Sequence, residues 1–271
     1  MIHEIVNLKE HFPIKNDVYL ECYVMSNYEE YNKDRKRKSV IIFPGGGYEM
    51  VSEREAEPVA VQFLSADISS FVLRYSTTPN MYPVQLLEGL AAVAYVRKNA
   101  ERYNLDPKKI CVCGFSAGGH LAACCAAFHH HQEYADQLKV TIKDTEVNGL
   151  ILAYPVISMQ ENSHEVTCYN ITHGDKKLME LLSIEKQVTD KFPKTFIWHT
   201  KEDETVSCQN SIDLCKALEE KHIFYEFHLF EKGMHGLSLA NEITAYYVPK
   251  QVVKEVQQWV PMCLNFVKNY I

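Results

Sequence analysis

Short apolar runs alternate with longer, mixed stretches along the whole chain. Ser39–Phe43, Ile68–Tyr75, Ile110–Cys113, Val147–Pro155, Thr195–His199 and Phe224–Phe230 are each short and mostly apolar. Runs of that kind read as strands covered on both faces, because neither side of the pleat is left polar for water. Between them, Arg54–Leu64, Val84–Arg102, Ala117–Phe128 and Val206–Lys221 carry helical spacing, and a last helix is expected from about Pro249. In Val84–Arg102, for example, Leu87, Leu90, Ala91, Ala94 and Tyr95 recur at intervals of three and four, with Pro83 just ahead where a helix start tolerates it. Ile2–Leu8 and Asp17–Met25 read as antiparallel strands at one edge. The alternation predicts an α/β fold, a mostly parallel central sheet with antiparallel N-terminal strands and helices on both faces. The polar stretch 158–193, with a short helical signal at Lys176–Leu182, is too long for an ordinary connection. It is expected to be a small cap inserted over the carboxyl ends of the strands, within one domain spanning 1–271.

Composition narrows the function classes. The 271 residues carry a formal net charge of -7 with no concentrated basic face, which argues against nucleic acid as a partner. The one basic run, Arg35–Lys38, is expected to be a solvated connection between strands. The first ten residues, MIHEIVNLKE, hold charges and no long apolar stretch, so neither a secretory leader nor a membrane anchor is expected. Nine cysteines, several inside apolar segments such as ICVC and LAACCAA, suggest buried thiols in a reduced, cytoplasmic protein. No pair of C-x-x-C motifs stands at ligand spacing, so no metal and no cofactor is expected. Nothing in the chain decides oligomeric state, and a homodimer is left open.

The chemistry is concentrated in four strings. Ile110–Gly119, ICVCGFSAGG, is a strand, then G-x-S-x-G, then a helix. That order is the strained strand-to-helix turn that lifts a serine hydroxyl to the edge of an α/β-hydrolase sheet, and it makes Ser116 the candidate nucleophile. Val40–Tyr48, VIIFPGGGY, is a strand running into three glycines; no Lys-Ser or Lys-Thr pair follows to make it a phosphate loop. His235 stands out among 12 histidines because it follows the strand Phe224–Phe230 near the C-terminus, in the turn EKGMHG. It is the candidate base, given the chain order Ser, then Asp or Glu, then His. The acid should follow the penultimate strand, where Glu202, Asp203 and Glu204 stand in a row. Asp203 is preferred because D-x-x-V leads directly into the next helix. His199 ends that strand beside the acid loop, and His120 is expected behind the nucleophile.

These residues resemble the esterase/lipase group of α/β-hydrolases that includes the hormone-sensitive-lipase-like esterases, and especially its small bacterial acetyl-xylan-esterase-like members. The resemblance runs from about Val40 to Leu239 through PGGGY, VLRYS, YPVQLLEGLAAVAYVR, GFSAGGHLA, LAYPVIS, SIEKQVT, HTKEDETV and GMHGLSLA. It implies the α/β-hydrolase fold and an oxyanion hole built from the backbone N–H of Ala117 with Gly46 and Gly47, which fall on the HGGG motif of lipases and esterases. Tyr48, next in that run, is a candidate substrate contact, as are Tyr169, His173 and Met179 in the expected cap. The chain departs from the larger group at Pro44, which replaces the histidine of HGGG, and at Glu88, where an aspartate is common. The implied activity is hydrolysis of small acyl esters by a serine carboxylesterase, extending to deacetylation of acetylated sugars such as xylo-oligosaccharides. Two rivals stand beside it. An oligopeptidase-like peptidase would want a large extra domain to sort peptides. A non-catalytic α/β-hydrolase that binds a ligand would be expected to have lost a triad member or an oxyanion glycine.

Overall fold

Val40, Ile41, Ile42 and Phe43 leave no polar side for water, and the chain resolves this by covering them from both directions. The computed structural model describes residues 1–30, 32–246 and 249–271. Its strands are β1 (Ile2–Asn7), β2 (Tyr19–Val24), β3 (Arg37–Phe43), β4 (Ser69–Arg74), β5 (Leu105–Phe115), β6 (Gly149–Ala153), β7 (Thr195–Thr200) and β8 (Tyr225–Phe230). Among the described residues they form one eight-stranded sheet in the order β1-β2-β4-β3-β5-β6-β7-β8. β2 runs antiparallel to both β1 and β4, and every other pair is parallel. This is the predicted architecture.

Successive residues of β3 alternate between two cores, as the pleat requires. Ile41 and Phe43 pack with Leu90 and Val93 of α2 (Val84–Lys98) and Leu121 of α3 (Ser116–Phe128). Val40 and Ile42 face the other way, toward Val59 and Phe63 of α1 (Glu57–Ser65) and Trp259 and Phe266 of α8 (Trp259–Tyr270). The remaining helices are α4 (Gln132–Leu138), α5 (Glu165–Thr172), α6 (Lys176–Leu181) and α7 (Gln209–Glu220). Because β3, β5, β7 and β8 are mutually parallel, the loops that follow them all emerge at one edge of the sheet, and each carries one of the candidate strings.

Several expectations are corrected. The basic run Arg35–Lys38 is not a solvated connection throughout. Arg37 opens β3, is 2% exposed, and donates from Nε to Asp67 Oδ1 at 2.6 Å. Its charge is tolerated there because that carboxylate and the Asn27 side chain both receive its guanidinium. The helix expected from Arg54 starts only at Glu57, with Pro58 in its first turn, where the missing N–H has no partner to lose. Glu53–Glu55 forms a separate short 3-10 turn. α4 and α5 were not anticipated, since both are short and polar. α5 is capped by the side chain of His164, a residue type that gives little N-cap signal.

Candidate active site

The strand-to-helix turn at Ser116 is tight enough to force the nucleophile candidate into the left-handed region, at φ +52°. Non-glycine residues adopt that conformation only when their surroundings impose it. The imposing contact is at Gly118. A Cβ built there would lie 2.1 Å from the Phe43 carbonyl oxygen and 2.3 Å from that of Pro44, so any side chain would push α3 off the end of β3. Ser116 thus stands at the first turn of a buried helix, where the Ala117 N–H has no intrahelical partner and the helix field favours negative charge.

The four strings converge on this hydroxyl. Ser116 Oγ lies 2.8 Å from His235 Nε2, and His235 Nδ1 lies 2.7 Å from Asp203 Oδ2. The tautomer consistent with both contacts has Nδ1–H donating to the carboxylate and Nε2 accepting from the serine. Asp203 is buried, and its other oxygen accepts from the N–H groups of Thr205 and Val206 at 3.0 and 2.9 Å. His199 Nε2 adds a contact to Oδ2 at 3.3 Å. Burial on its own would raise this carboxyl. The hydrogen bonds from His199 and His235, the His235 charge and the Val206 N–H outweigh it and hold Asp203 well below the usual carboxylate range. The neighbouring acids go elsewhere. Glu202 accepts the Gly233 N–H at 3.0 Å and so braces the His235 loop, while Glu204 faces solvent.

A cleft of about 470 Å³ opens above Ser116 and His235. Gly46 and Gly47 line it, in the positive-φ turn at +131° and +65°. Among the described residues the N–H groups of Gly46 and Gly47 have no acceptor. Glu49, Met50, Arg54, Glu55, His164 and Val166 are also part of the wall. His164 and Val166 come from the segment expected as a cap, whereas Tyr169, His173 and Met179 from that segment do not line the cleft. Tyr169 instead stacks on His173. His164 Nδ1 pairs with Thr167 Oγ1 at 2.8 Å, which leaves Nε2–H as the donor end of the ring. Burial, reinforced by the neighbouring His235, pushes the His164 imidazole below its ordinary range. A larger hollow of about 570 Å³ lies elsewhere, between Glu202, Met234 and Lys250, and Ser116 does not face it. Among the described residues no group of three His, Cys, Asp or Glu side chains is arranged to hold a metal, and no helix is long and apolar enough to cross a membrane.

Tyr48 does not reach the cleft. It is 1% exposed, with its hydroxyl 2.9 Å from His120 Nδ1 and its ring against Tyr75. A positive φ at Tyr48 turns the side chain inward from the glycine run, so the candidate substrate contact is a core residue. Its partner His120 is buried and bonded on both nitrogens, with Nε2 2.9 Å from the Leu182 carbonyl. Burial lowers this imidazole from 6.5 to about 4. The unfolded chain therefore takes up a proton that the folded chain refuses, and stability falls as pH drops from about 6.5 toward about 4. The difference is worth at most about 3 kcal/mol. Urea midpoints measured across that range should decline more steeply for the wild type than for His120→Gln; parallel curves would show that His120 is not responsible.

Residues 25–218, more than two thirds of the chain, match the BD-FAE family model. Endo-1,4-beta-xylanase B of Butyrivibrio fibrisolvens is 38% identical over 223 residues, covering 78% of this chain and 34% of the xylanase. The acetylxylan esterase of Xylanibacter ruminicola is 25% identical over 231 residues, covering 82% of this chain and 45% of that esterase. The chain thus spans between a third and a half of the length of these curated relatives. Among solved structures, an acetyl ester-xyloside bifunctional hydrolase from Caldicellulosiruptor lactoaceticus superposes with a TM-score of 0.83 at 31% identity, over 98% of this chain and 95% of that one.

Proposed function

The chain belongs to the BD-FAE family within the α/β-hydrolase esterases, and on that premise we propose that it is a serine carboxylesterase releasing small acyl groups, acetyl above all, from carbohydrate alcohols. The observation that carries the reading is the unbroken relay from Ser116 Oγ to His235 at 2.8 Å and from His235 to Asp203 at 2.7 Å, on the floor of an open cleft. His235 Nε2 takes the serine proton as Oγ attacks the ester carbonyl, and Asp203 stabilises the imidazolium that results. The oxyanion is received by the N–H of Ala117 together with those of Gly46 and Gly47. The alcohol leaves with the proton from His235, an acyl-serine remains, and water attacks it by the same route in reverse.

The substrate class follows from the wall of the cleft and from kinship. Glu49, Arg54 and the Nε2–H of His164 offer donors and acceptors suited to a hydroxyl-rich leaving group, beside apolar surface that includes Val166 and Met50. The relatives named acetylxylan esterase and acetyl ester-xyloside bifunctional hydrolase support the same assignment. In this reading the segment 158–193 is a cap that supplies His164 and Val166 to the alcohol side of the ester.

A panel of p-nitrophenyl acetate, butyrate and a long-chain ester, followed by acetylated xylo-oligosaccharide, tests the proposal. Under this reading acetate is cleaved at least about tenfold faster than the long-chain ester, the ratio expected where each methylene that finds no pocket forfeits about 1–3 kcal/mol. Acetate should also be released from the sugar. Rates at background on every ester would sink the reading and move the peptidase and ligand-binding alternatives ahead of it.

A further inference from the structure

We infer that Glu55 is a positioning residue that sets the oxyanion loop and the His235 loop together, an inference that rests on the esterase reading above. Glu55 closes the short turn Glu53–Glu55 and is 4% exposed. A carboxylate so placed is unfavourable unless it is paired or hydrogen-bonded, and among the described residues it has no ion pair. It is held instead by two short hydrogen bonds that point in different directions. Gly45 N–H donates to Oε2 at 2.6 Å, and the Tyr154 hydroxyl donates to Oε1 at 2.6 Å.

Each bond ends on a part of the candidate machinery. Gly45 is the residue before Gly46 and Gly47, so fixing its N–H fixes the peptide plane from which the oxyanion turn departs. A Cβ at Gly45 would sit 2.8 Å from Glu55 Oε2 and 3.0 Å from Ser116 Cβ, so the carboxylate and the nucleophile both crowd the space beside this glycine. On the other branch, Tyr154 is 1% exposed and meets the His235 ring edge-on, with centroids 5.0 Å apart. The Tyr154 hydroxyl also accepts the Ser238 N–H at 2.9 Å. The turn itself is stitched to the same loop, because the Arg54 guanidinium donates to the Gly236 carbonyl at 2.7 Å and the Ser238 hydroxyl to the Arg54 carbonyl at 2.6 Å. An apolar residue could fill this space, but only a group accepting at both oxygens can hold two donors on two loops at once.

Glu55→Gln keeps the shape and replaces one acceptor by an NH2 that must face a donor. Kinetics on p-nitrophenyl acetate, with active sites counted by burst titration, are compared with inhibition by phenylboronic acid, which forms a tetrahedral adduct on the nucleophile. Turnover per active site should fall on the order of 10²-fold, the loss seen when an oxyanion donor is misplaced. KM should stay within about threefold, and boronate affinity should weaken along with turnover. Tyr154→Phe, which leaves the Gly45 bond intact, should lose about tenfold, and the double variant should lose less than the product of the two. A merely structural role would lower the count of active sites and leave turnover per site and boronate affinity unchanged, and that result overturns the inference. A wild type that cleaves ester beside variants within threefold of it overturns this inference alone. A wild type that cleaves none overturns the esterase reading and this inference with it. Should Glu55→Gln fail to fold, an undiminished Tyr154→Phe is sufficient to overturn it.

Discussion

Ser116→Ala is expected to lower turnover of short acyl esters by on the order of 10⁶-fold, with the fold intact. The substitution removes a single oxygen from a residue whose backbone is already held at φ +52° by the approach of α3 to β3, so Ala inherits a geometry imposed from outside. His235 keeps its bond to Asp203 and loses only its contact to Oγ. What remains is the donor set of the proposed oxyanion turn; in serine hydrolases such donors still accelerate hydrolysis about 10³–10⁴-fold over water. KM should barely move, because the wall of the cleft is untouched. Intact mass after exposure to a fluorophosphonate supplies the second readout: the wild type gains one adduct and Ser116→Ala gains none. Turnover within tenfold of wild type, or an adduct on the variant, would place the nucleophile elsewhere.

How much of this was legible in the chain depends on the range of the interactions involved. The strand–G-x-S-x-G–helix string is a local statement, since apolar run, glycines and helix all lie within a few residues of Ser116, and the turn followed the predicted form. The mostly parallel sheet was implied by strands alternating with helices, and runs such as β6 and β7, buried along their whole length, leave no face for water. Choosing among Glu202, Asp203 and Glu204 was harder. All three sit on one loop, and what separates them is its curvature, which turns Asp203 back onto the N–H groups of Thr205 and Val206 and sends Glu202 to Gly233. Glu55 was beyond reach, for its partners Gly45 and Tyr154 are joined to it only by the folded sheet. Tyr48 failed for a related reason: adjacency to the glycine run says nothing about which way a residue at positive φ points. His164 was hidden inside a polar stretch whose short helix begins at an unusual cap.

Asp203→Asn should cost about 10⁴-fold in turnover while leaving the three side chains nearly in place. The argument turns on which way the new amide must face. Oδ1 of Asp203 accepts from two backbone N–H groups, so the amide oxygen is committed to that side and the NH2 must occupy the position of Oδ2. There it confronts His235 Nδ1 at 2.7 Å, which donates to the carboxylate, and stands 3.3 Å from His199 Nε2. His235 can relieve the conflict only by carrying its proton on Nε2 and accepting at Nδ1. The nitrogen facing Ser116 is then a donor and cannot take the serine proton. Because interactions within the fold hold the Asp203 carboxyl well below the usual carboxylate range, the wild type keeps this acid ionised throughout the neutral range. The lost rate should therefore return partly at high pH, where hydroxide rather than His235 removes the proton, so that the variant's rate climbs with pH after the wild type has levelled off. Equal profiles for the two proteins, or a loss below tenfold, would mean that Asp203 does not orient His235. Glu202, already braced against the His235 loop through Gly233, would then be the acid to replace next.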